Sequence, residues 1–296
     1  MNTSSKMKIL ILGGSGMLGS SVFRCFHASK SFETTATVRN PAVLTFFSPD
    51  ETPRMRVNVD VLDSDVLISL MDTIRPDVVI NCVGLIKQLP SSNDPLVALP
   101  INALFPHRLA RICALGGARL IHVSTDCVFS GSKGNYSESD LPDATDLYGR
   151  SKLLGELVDY DNAVTLRTSI IGRELSTSHS LVDWFLEQRG TVQGFSRAIF
   201  SGLPACELAA VMRDVVLPRT TLKGLYHVSA APISKLELLR LIADQYGLGT
   251  ELVPNDDIKI DRSLDSSRFA AETGYIAPAW PELVRRMHDA DPRRSS

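Results

Sequence analysis

An apolar run that ends in closely spaced glycines opens this chain and limits the folds open to it. Residues 8–12 have the length and composition of a buried parallel strand, and residues 13–19 follow at once as Gly-Gly-Ser-Gly-Met-Leu-Gly. A helical pattern comes next. This order predicts a dinucleotide site, because glycines let the backbone approach a pyrophosphate and a helix N-terminus offers free N–H groups. A tight turn without a ligand is the alternative interpretation.

The end of the second predicted strand indicates which dinucleotide would bind. The strand covers residues 34–38 and is followed by Arg39 and Asn40. An acid at that strand end suits the ribose 2′-hydroxyl of NAD, whereas an arginine suits a 2′-phosphate. Glu33 stands about 20 residues after Gly13 but at the opposite strand end. The pattern therefore favours NADP(H), with NAD(H) as the second choice and a solvated loop charge as the other interpretation of Arg39.

Composition sets the broad class of the chain. Its 296 residues are 44% hydrophobic, enough for a large core in one or two closely joined domains. A net charge of −2 indicates neither a nucleic-acid footprint nor a basic membrane-binding face. The five cysteines and six histidines show no metal-ligand spacing, so no metal is predicted. With no run of membrane-spanning length, we expect a soluble cytoplasmic protein.

Strand and helix patterns alternate through the first half of the chain. Further strands are predicted at residues 56–61, 77–82, 119–124, 163–168 and 225–228, with helices at 63–74, 101–113 and 148–160. Such alternation predicts an α/β fold with a Rossmann-like, doubly wound parallel sheet. Ligands bind such sheets at the C-terminal strand ends. Gly13, Arg39, Asp60, Gly84 and Thr125 all fall at such ends, which predicts one cleft.

After residue 170 the alternation breaks down, which predicts a second, smaller region. We expect a dinucleotide-binding domain in residues 1–171 plus about 205–230. Residues 172–204 plus 231–296 would then form an interleaved substrate-binding lobe. Helices are predicted at residues 181–188, 207–216 and 233–246, the last opened by a Ser234 cap and closed by Gly247.

A tyrosine and a lysine four residues apart are the candidate catalytic pair. If residues 148–160 are helical, Tyr148 and Lys152 share one face. The lysine charge is then expected to lower the pKa of the tyrosine from its usual ~10. Such a tyrosine can pass a proton to or from an alcohol or a carbonyl. The pair alone is a weak signal, and the glycine turn and the upstream Thr125 strengthen it.

With these motifs in this order, the chain resembles the extended short-chain dehydrogenase/reductases. More narrowly, it is similar to dTDP-4-dehydrorhamnose reductase and related nucleotide-sugar 4-ketoreductases. The matching motifs are residues 123–131, 136–138, 148–152, 155–156, 166–169, 226–229 and 262–265. The resemblance implies an NAD(P)-dependent oxidoreductase that reduces a nucleotide-activated 4-keto-6-deoxy sugar in cell-surface polysaccharide or O-antigen precursor synthesis. That sugar would be dTDP-4-dehydrorhamnose or a UDP-linked N-acetyl amino-sugar analogue.

The resemblance also implies roles for individual residues. Tyr148 would donate the proton, Lys152 would lower its pKa and hold the nicotinamide ribose, and Thr125 would bind the substrate carbonyl oxygen. Asn102 corresponds to a family helix asparagine and is expected to be structural. The expected cofactor-binding residues, including the strand-end pair described above, are Gly13, Gly16, Met17, Leu18, Gly19, Arg39, Asn40, Asp60, Val61, Cys82, Val83, Gly84, Tyr148 and Lys152.

Two departures from the family pattern leave the sugar open. Cys127 stands where relatives usually carry an aromatic residue, and Ile170 stands where the rhamnose reductases place a tryptophan. Losing an aromatic wall removes about 1–3 kcal/mol of contact. Lys87 is either a contact to a substrate carboxylate or diphosphate or an exposed loop lysine. The expected substrate-binding residues are Lys87, Thr125, Asp126, Cys127, Ile170 and Arg197, the last as a diphosphate contact.

The same fold also supports three other functions. Dehydratases of the resembled family carry Thr-Asp-Glu, and Cys127 leaves no second acid beside Asp126. A 4-epimerase would favour tightly held NAD, which Arg39 disfavours. A non-catalytic, NADP-binding regulatory subunit could retain the cleft without turnover. A homodimer is the default expectation for the assembly.

Overall fold

The computed structural model describes residues 6–87, 89–291 and 293. Its strands, in chain order, are β1 (Met7–Leu12), β2 (Phe32–Thr37), β3 (Met55–Arg56), β4 (Val78–Asn81), β5 (Arg119–Thr125), β6 (Ala163–Thr168), β7 (Ile170–Ile171), β8 (Thr191–Phe195), β9 (Ala198–Phe200), β10 (Leu203–Pro204), β11 (Gly224–His227), β12 (Ile233–Ser234), β13 (Glu251–Asn255) and β14 (Ile260–Asp261).

The α-helices alternate with these strands. They are α1 (Met17–His27), α2 (Ser64–Ile74), α3 (Pro95–Ala98), α4 (Phe105–Leu115), α5 (Leu147–Leu154), α6 (Leu181–Leu186), α7 (Ala205–Val211), α8 (Lys235–Tyr246), α9 (Ser267–Thr273) and α10 (Trp280–Asp289). Two π-helical segments, Leu99–Leu104 and Met212–Val216, continue α3 and α7. None of the helices in the described residues is long and apolar enough to cross a membrane.

A seven-stranded sheet in the order β11-β6-β5-β4-β1-β2-β3 forms the centre of the molecule. Each neighbouring pair of strands in it is parallel. Helices cover both faces: Val22 of α1 packs on one side with Ile9, and Leu109 of α4 packs on the other with Leu10. Burial on both faces explains the apolar strands. The predicted Rossmann-like, doubly wound α/β fold is confirmed.

Several predicted elements differ from the structure in their bounds. The strand predicted at residues 56–61 is only Met55–Arg56, because Asn58 turns the chain with a φ of 59°. The first four residues of the helix predicted at 101–113 are π-helical, and the α-helix begins only at Phe105. The helix predicted from 148 to 160 ends at Leu154, where Gly155 caps it. A Cβ on Gly155 would lie 1.9 Å from the Asn102 carbonyl oxygen, so only glycine permits this approach.

The later residues build small sheets around the same core. β8 pairs with β13, β7 pairs with β10, and β9 lies between β12 and β14. Ser234 caps α8 by accepting a hydrogen bond from the Glu237 N–H, and Gly247 ends this helix in the left-handed region. Leu238 of α8 and Leu283 of α10 belong to the same hydrophobic cluster as Ile9. The predicted domain boundaries remain a prediction.

Candidate active site

The glycine turn after β1 is built for close backbone packing. Gly13 has a φ of 84°, a conformation that glycine adopts without strain, and its N–H donates to Thr37 Oγ1 at 3.3 Å. A Cβ on Gly19 would lie 2.0 Å from the Gly13 carbonyl oxygen, so α1 can approach β1 only with glycine there. No side chain caps α1 at Gly16. The turn therefore presents bare backbone at a helix N-terminus, which fits a pyrophosphate.

Replacing Gly19 by alanine is expected to destabilise the protein by about 1–3 kcal/mol and to weaken dinucleotide binding, since the added methyl group overlaps the Gly13 carbonyl. Thermal unfolding and NADPH titration measure the two effects. Gly16→Ala is the matched control for stability, because a Cβ there would lie 3.6 Å from the same oxygen, in ordinary contact. Equal stability of the two variants would contradict this account of the turn.

The end of β2 carries the residues expected at the adenosine ribose. Arg39 is exposed and forms no ion pair within the described residues. Asn40 instead accepts a hydrogen bond from the Ala42 N–H and caps the following 3₁₀ turn. Glu33 lies near the other end of β2 and pairs with Arg54 at 3.3 Å. The strand end therefore offers an unpaired guanidinium and no carboxylate from β2, as a 2′-phosphate requires.

Asp60 and Val61 stand in the loop that follows β3. The Asp60 carboxylate accepts a hydrogen bond from the Leu62 N–H at 3.0 Å and remains exposed. Val61 is half-buried and packs on the hydrophobic cluster formed by α2 and α4. These two predicted cofactor-binding residues thus lie on a surface loop at the carboxyl edge of the sheet.

The loop after β4 closes the other side of the predicted cofactor cleft. A Cβ on Gly13 would lie 3.0 Å from Val83 Cγ2 and 3.2 Å from the Cys82 carbonyl carbon, so this loop packs on the glycine turn. A Cβ on Gly84 would lie 3.7 Å from Lys152 Nζ. The buried Asn102 accepts from the Leu85 N–H and donates to Ser151, which ties the loop to α5.

Lys152 is buried, with 6% of its surface exposed, and its Nζ donates to the Val123 carbonyl oxygen at 2.9 Å. Burial lowers the pKa of this ammonium from its usual 10.5 to about 8, while the Glu156 carboxylate opposes that change. Tyr148 lies one helical turn earlier on α5 and is half-buried. The lysine therefore sits beneath the loop at Gly84, where the resemblance places the nicotinamide ribose.

The expected lowering of the Tyr148 pKa is wrong. Burial raises the pKa of the phenol above its usual 10, Cys127 and Asp126 act in the same direction, and interaction with the Thr125 hydroxyl opposes the rise only in part. Lys152 directs its ammonium to a backbone carbonyl instead. Tyr148 is consequently a protonated phenol at neutral pH, the form that can donate a proton.

Thr125 ends β5 beside the tyrosine. Its hydroxyl oxygen accepts from the Cys127 N–H at 3.1 Å and donates to Asp126 Oδ1 at 3.2 Å. Burial raises the pKa of the Asp126 carboxyl, and the charges of Arg262 and Lys235 act against this rise. The structure thus brings Thr125, Asp126, Cys127 and Tyr148 together at one strand end.

Two cations of this site were not among the predicted site residues. Arg262 donates its Nε–H to the Phe129 carbonyl oxygen at 2.8 Å, and its charge also acts on Asp143 and Asp146. Lys235 opens α8 and acts on Asp126. Arg262 belongs to a motif noted only for its resemblance. No local spacing links these residues to Thr125, since more than one hundred positions separate them.

The remaining predicted substrate residues lie in different surroundings. Lys87 Nζ pairs with the Asp146 carboxylate at 2.6 Å beside the N-terminus of α5. Ile170 is half-buried in β7, next to Leu203 of β10. Arg197 is exposed between β8 and β9, and its carbonyl oxygen accepts from the Ile260 N–H. Arg262, rather than Arg197, is therefore the guanidinium whose charge reaches Asp126.

A parallel Rossmann sheet with a glycine turn and a Thr-Tyr-Lys set at one edge agrees with the resemblance to the short-chain dehydrogenase/reductases. The chain belongs to the RmlD substrate binding domain family, whose model matches residues 7–290. The predicted resemblance and the oxidoreductase class are confirmed by this membership. Solved structures with this fold contain NADP or NAD.

Some relatives match most of this chain at low identity, and others match a shorter part of it at higher identity. The chain is 26% identical to methionine adenosyltransferase 2 subunit beta from Mus musculus, over 94% of this chain and 88% of that protein. It is 37% identical to dTDP-4-dehydrorhamnose reductase from Mycobacterium tuberculosis, over 39% of this chain and 44% of that protein. The solved dTDP-4-dehydrorhamnose reductase from Bacillus anthracis, in complex with NADP, has a TM-score of 0.79 at 20% identity and covers 96% of this chain and 99% of its own.

Proposed function

We propose that this protein uses NADPH to reduce the keto group of a nucleotide-activated 4-keto-6-deoxy sugar, in the synthesis of cell-surface polysaccharide precursors. The observation that carries the proposal is the grouping of Thr125, the protonated phenol of Tyr148 and the buried Lys152 at the carboxyl edge of the sheet. The names of the reductase relatives from M. tuberculosis and B. anthracis support the choice of substrate class.

The proposed mechanism assigns one task to each of these side chains. The dinucleotide, held by the glycine turn, the loop at Gly84 and Lys152, supplies the hydride when bound. Thr125 binds the substrate carbonyl oxygen and so orients it. Tyr148 donates its phenolic proton to that oxygen as negative charge develops there. The buried Lys152 ammonium, held on the Val123 carbonyl oxygen, would bind the nicotinamide ribose.

The cations around Asp126 support a substrate with a diphosphate group. Lys87, Lys235 and Arg262 come from three separate segments, and their charges converge on the acids at this strand end. Lysine and arginine side chains commonly bind phosphate oxygens. Cys127 places a small side chain beside Asp126 and Tyr148, so both dTDP-linked and UDP-linked sugars remain candidates.

Replacing Arg39 by alanine is expected to lower the preference for NADPH over NADH by about 10- to 100-fold, because a charge-assisted contact to the 2′-phosphate is lost. The ratio of kcat/KM for the two cofactors measures the change. Arg54→Ala is the control, since that guanidinium pairs with Glu33 near the amino end of β2. An unchanged ratio would show that Arg39 is a solvated charge.

The proposal is tested by following NADPH absorbance with enzymatically generated 4-keto-6-deoxy sugars. The dTDP-glucose and UDP-N-acetylglucosamine derivatives are supplied side by side. Oxidation with one of them, absent in Tyr148→Phe, would establish the reductase and identify the sugar class. Absence of oxidation with both, despite NADPH binding, would refute this substrate assignment.

A second candidate function follows from the relative that matches over most of its length. The mouse protein is named as a subunit of methionine adenosyltransferase 2, and it covers 94% of this chain. By analogy, this chain would bind a partner enzyme and need not turn over a sugar. NADPH binding without sugar-dependent oxidation, together with co-elution with an adenosyltransferase, would favour this function.

A further inference from the structure

One carboxylate holds the first turn of the helix that carries the candidate catalytic pair. Asp146 directly precedes α5, and its Oδ1 accepts a hydrogen bond from the Gly149 N–H at 2.7 Å. Its backbone carbonyl oxygen accepts from the Arg150 N–H at 3.1 Å, so the residue is fixed to the helix at two points. Because Tyr148 lies between Asp146 and Gly149 in the chain, this cap encloses the proposed proton donor.

The other oxygen of the same carboxylate binds the loop that follows β4. Lys87 Nζ donates to Asp146 Oδ2 at 2.6 Å. Burial acts to raise the pKa of the Asp146 carboxyl, but the hydrogen bonds from Lys87 and from the Gly149 N–H outweigh burial and hold this pKa below its usual value. The carboxylate is therefore ionised at neutral pH, and its two oxygens have different partners.

The loop that carries Lys87 is anchored at further points. The Leu85 N–H donates to Asn102 Oδ1 at 3.0 Å, and the buried Ser92 donates from its Oγ to the Lys87 carbonyl oxygen at 3.1 Å. This loop closes one side of the predicted cofactor cleft. Its ion pair with Asp146 attaches that side of the cleft to the start of α5.

The first turn of α5 also packs directly on the strand end that carries Thr125. A Cβ on Gly149 would lie 2.3 Å from the Cys127 carbonyl oxygen and 2.6 Å from the Ala144 Cβ, so only glycine permits this contact. The Cys127 N–H in turn donates to Thr125 Oγ1 at 3.1 Å. A movement of this turn would therefore change the position of Tyr148 relative to Thr125.

The ion pair between Lys87 and Asp146 differs from an ordinary surface pair. Exposed pairs contribute little in general, because two side chains lose conformational freedom when they pair. Here the cap already orders the carboxylate, so pairing immobilises only the lysine. The pair can therefore hold the loop at a smaller entropic cost than most exposed pairs.

We propose that Asp146 is a positioning residue of the active site: it joins Lys87 of the loop after β4 to the Gly149 N–H, and so keeps Tyr148 in place beside Thr125. Its role in catalysis rests on the proposed function. The coupling between the loop and the helix does not, since it is a property of the chain without substrate.

The test measures hydrogen exchange of the Gly149 amide by NMR, in the full chain without cofactor or sugar. Lys87→Met is expected to speed this exchange about threefold, because the carboxylate that caps the amide loses its second anchor. Asp146→Asn keeps an oxygen acceptor for the amide, loses the charge and is expected to have the same effect. Asp146→Ala, which also removes the cap, should speed the exchange about tenfold.

Lys223→Met is the matched control, since that ammonium pairs with Asp161 instead, also at 2.6 Å. The exchange rate of the Gly149 amide in this variant should equal that of the wild type. An unchanged rate in Lys87→Met, or an equal rise in Lys223→Met, would overturn the proposal.

Turnover distinguishes positioning by Asp146 from a direct contact between Lys87 and the sugar diphosphate. Asp146→Ala is expected to lower kcat for the keto sugar about tenfold, because a displaced proton donor reduces turnover. Lys87→Met is expected to have little further effect on kcat in that background. Independent effects that multiply would overturn the positioning role. Faster exchange in a protein without reductase activity would refute the proposed function alone.

Discussion

Tyr148→Phe is expected to lower kcat for keto-sugar reduction by about 10²- to 10⁴-fold, the usual contribution of a positioned general acid. The substitution removes only the phenolic oxygen, and burial already keeps that phenol protonated at neutral pH. NADPH affinity should change little, because the glycine turn, the strand end at Arg39 and Lys152 are untouched. The expected loss therefore falls on turnover rather than on cofactor binding.

Single-turnover oxidation of NADPH and a separate fluorescence titration distinguish these two effects. Tyr160→Phe is the control, since its hydroxyl contacts His107 Nδ1 away from the site, at 3.0 Å. A Tyr148→Phe variant with more than half of the wild-type kcat would exclude the phenol as the proton donor.

Lys152→Met is expected to abolish measurable reduction and to stabilise the fold at pH 7 by about 2 kcal/mol. Burial holds the pKa of this lysine at about 8, against its usual 10.5, which corresponds to roughly 3 kcal/mol of cost to the folded state. Methionine has a similar length and no charge, while the lost hydrogen bond to Val123 removes about 1 kcal/mol of that gain.

The stability gain should also depend on pH with a defined sign. Between about pH 8 and 10.5 the unfolded chain holds the lysine proton and the folded protein has lost it, so wild-type stability recovers as pH rises through this window. The advantage of Lys152→Met is therefore complete below about pH 8 and disappears toward pH 10.5. Urea unfolding at several pH values measures it.

The matched control is Lys223→Met, which removes an exposed ammonium paired with Asp161 at 2.6 Å. This variant should change stability by less than about 0.5 kcal/mol at any pH in the range. An equal gain from both variants would show that the gain does not come from burial of the Lys152 charge.

Patterns among neighbouring residues of the sequence predict the fold and the part of the site that contains Thr125, Tyr148 and Gly84. The apolar run before Gly13 and the alternation that follows it specify strand, turn and helix over short distances. Parallel packing then brings all C-terminal strand ends to one edge. Thr125, Tyr148 and Gly84 could be placed together for that reason, although none is close to another in sequence.

The other features of the site depend on contacts between residues that are distant in sequence, which local patterns do not predict. Arg262 and Lys235 act on Asp126 although more than one hundred positions separate them from it, so this interaction depends on the tertiary fold. The rise in the Tyr148 pKa comes from burial, which residue spacing does not report. The end of α5 at Leu154 is set by the approach of Gly155 to the Asn102 backbone, a contact between two distant segments.

The hydrophobic cluster shared by Ile9, Leu238 and Leu283 limits how this protein can be engineered. Helices α8 and α10 fill the space against the central sheet, so removing them would expose the interior of that sheet. Exchanging the C-terminal part of the chain with that of a relative would therefore disrupt a shared core. Single substitutions that preserve this packing, at positions such as Cys127, are the better route to an altered site.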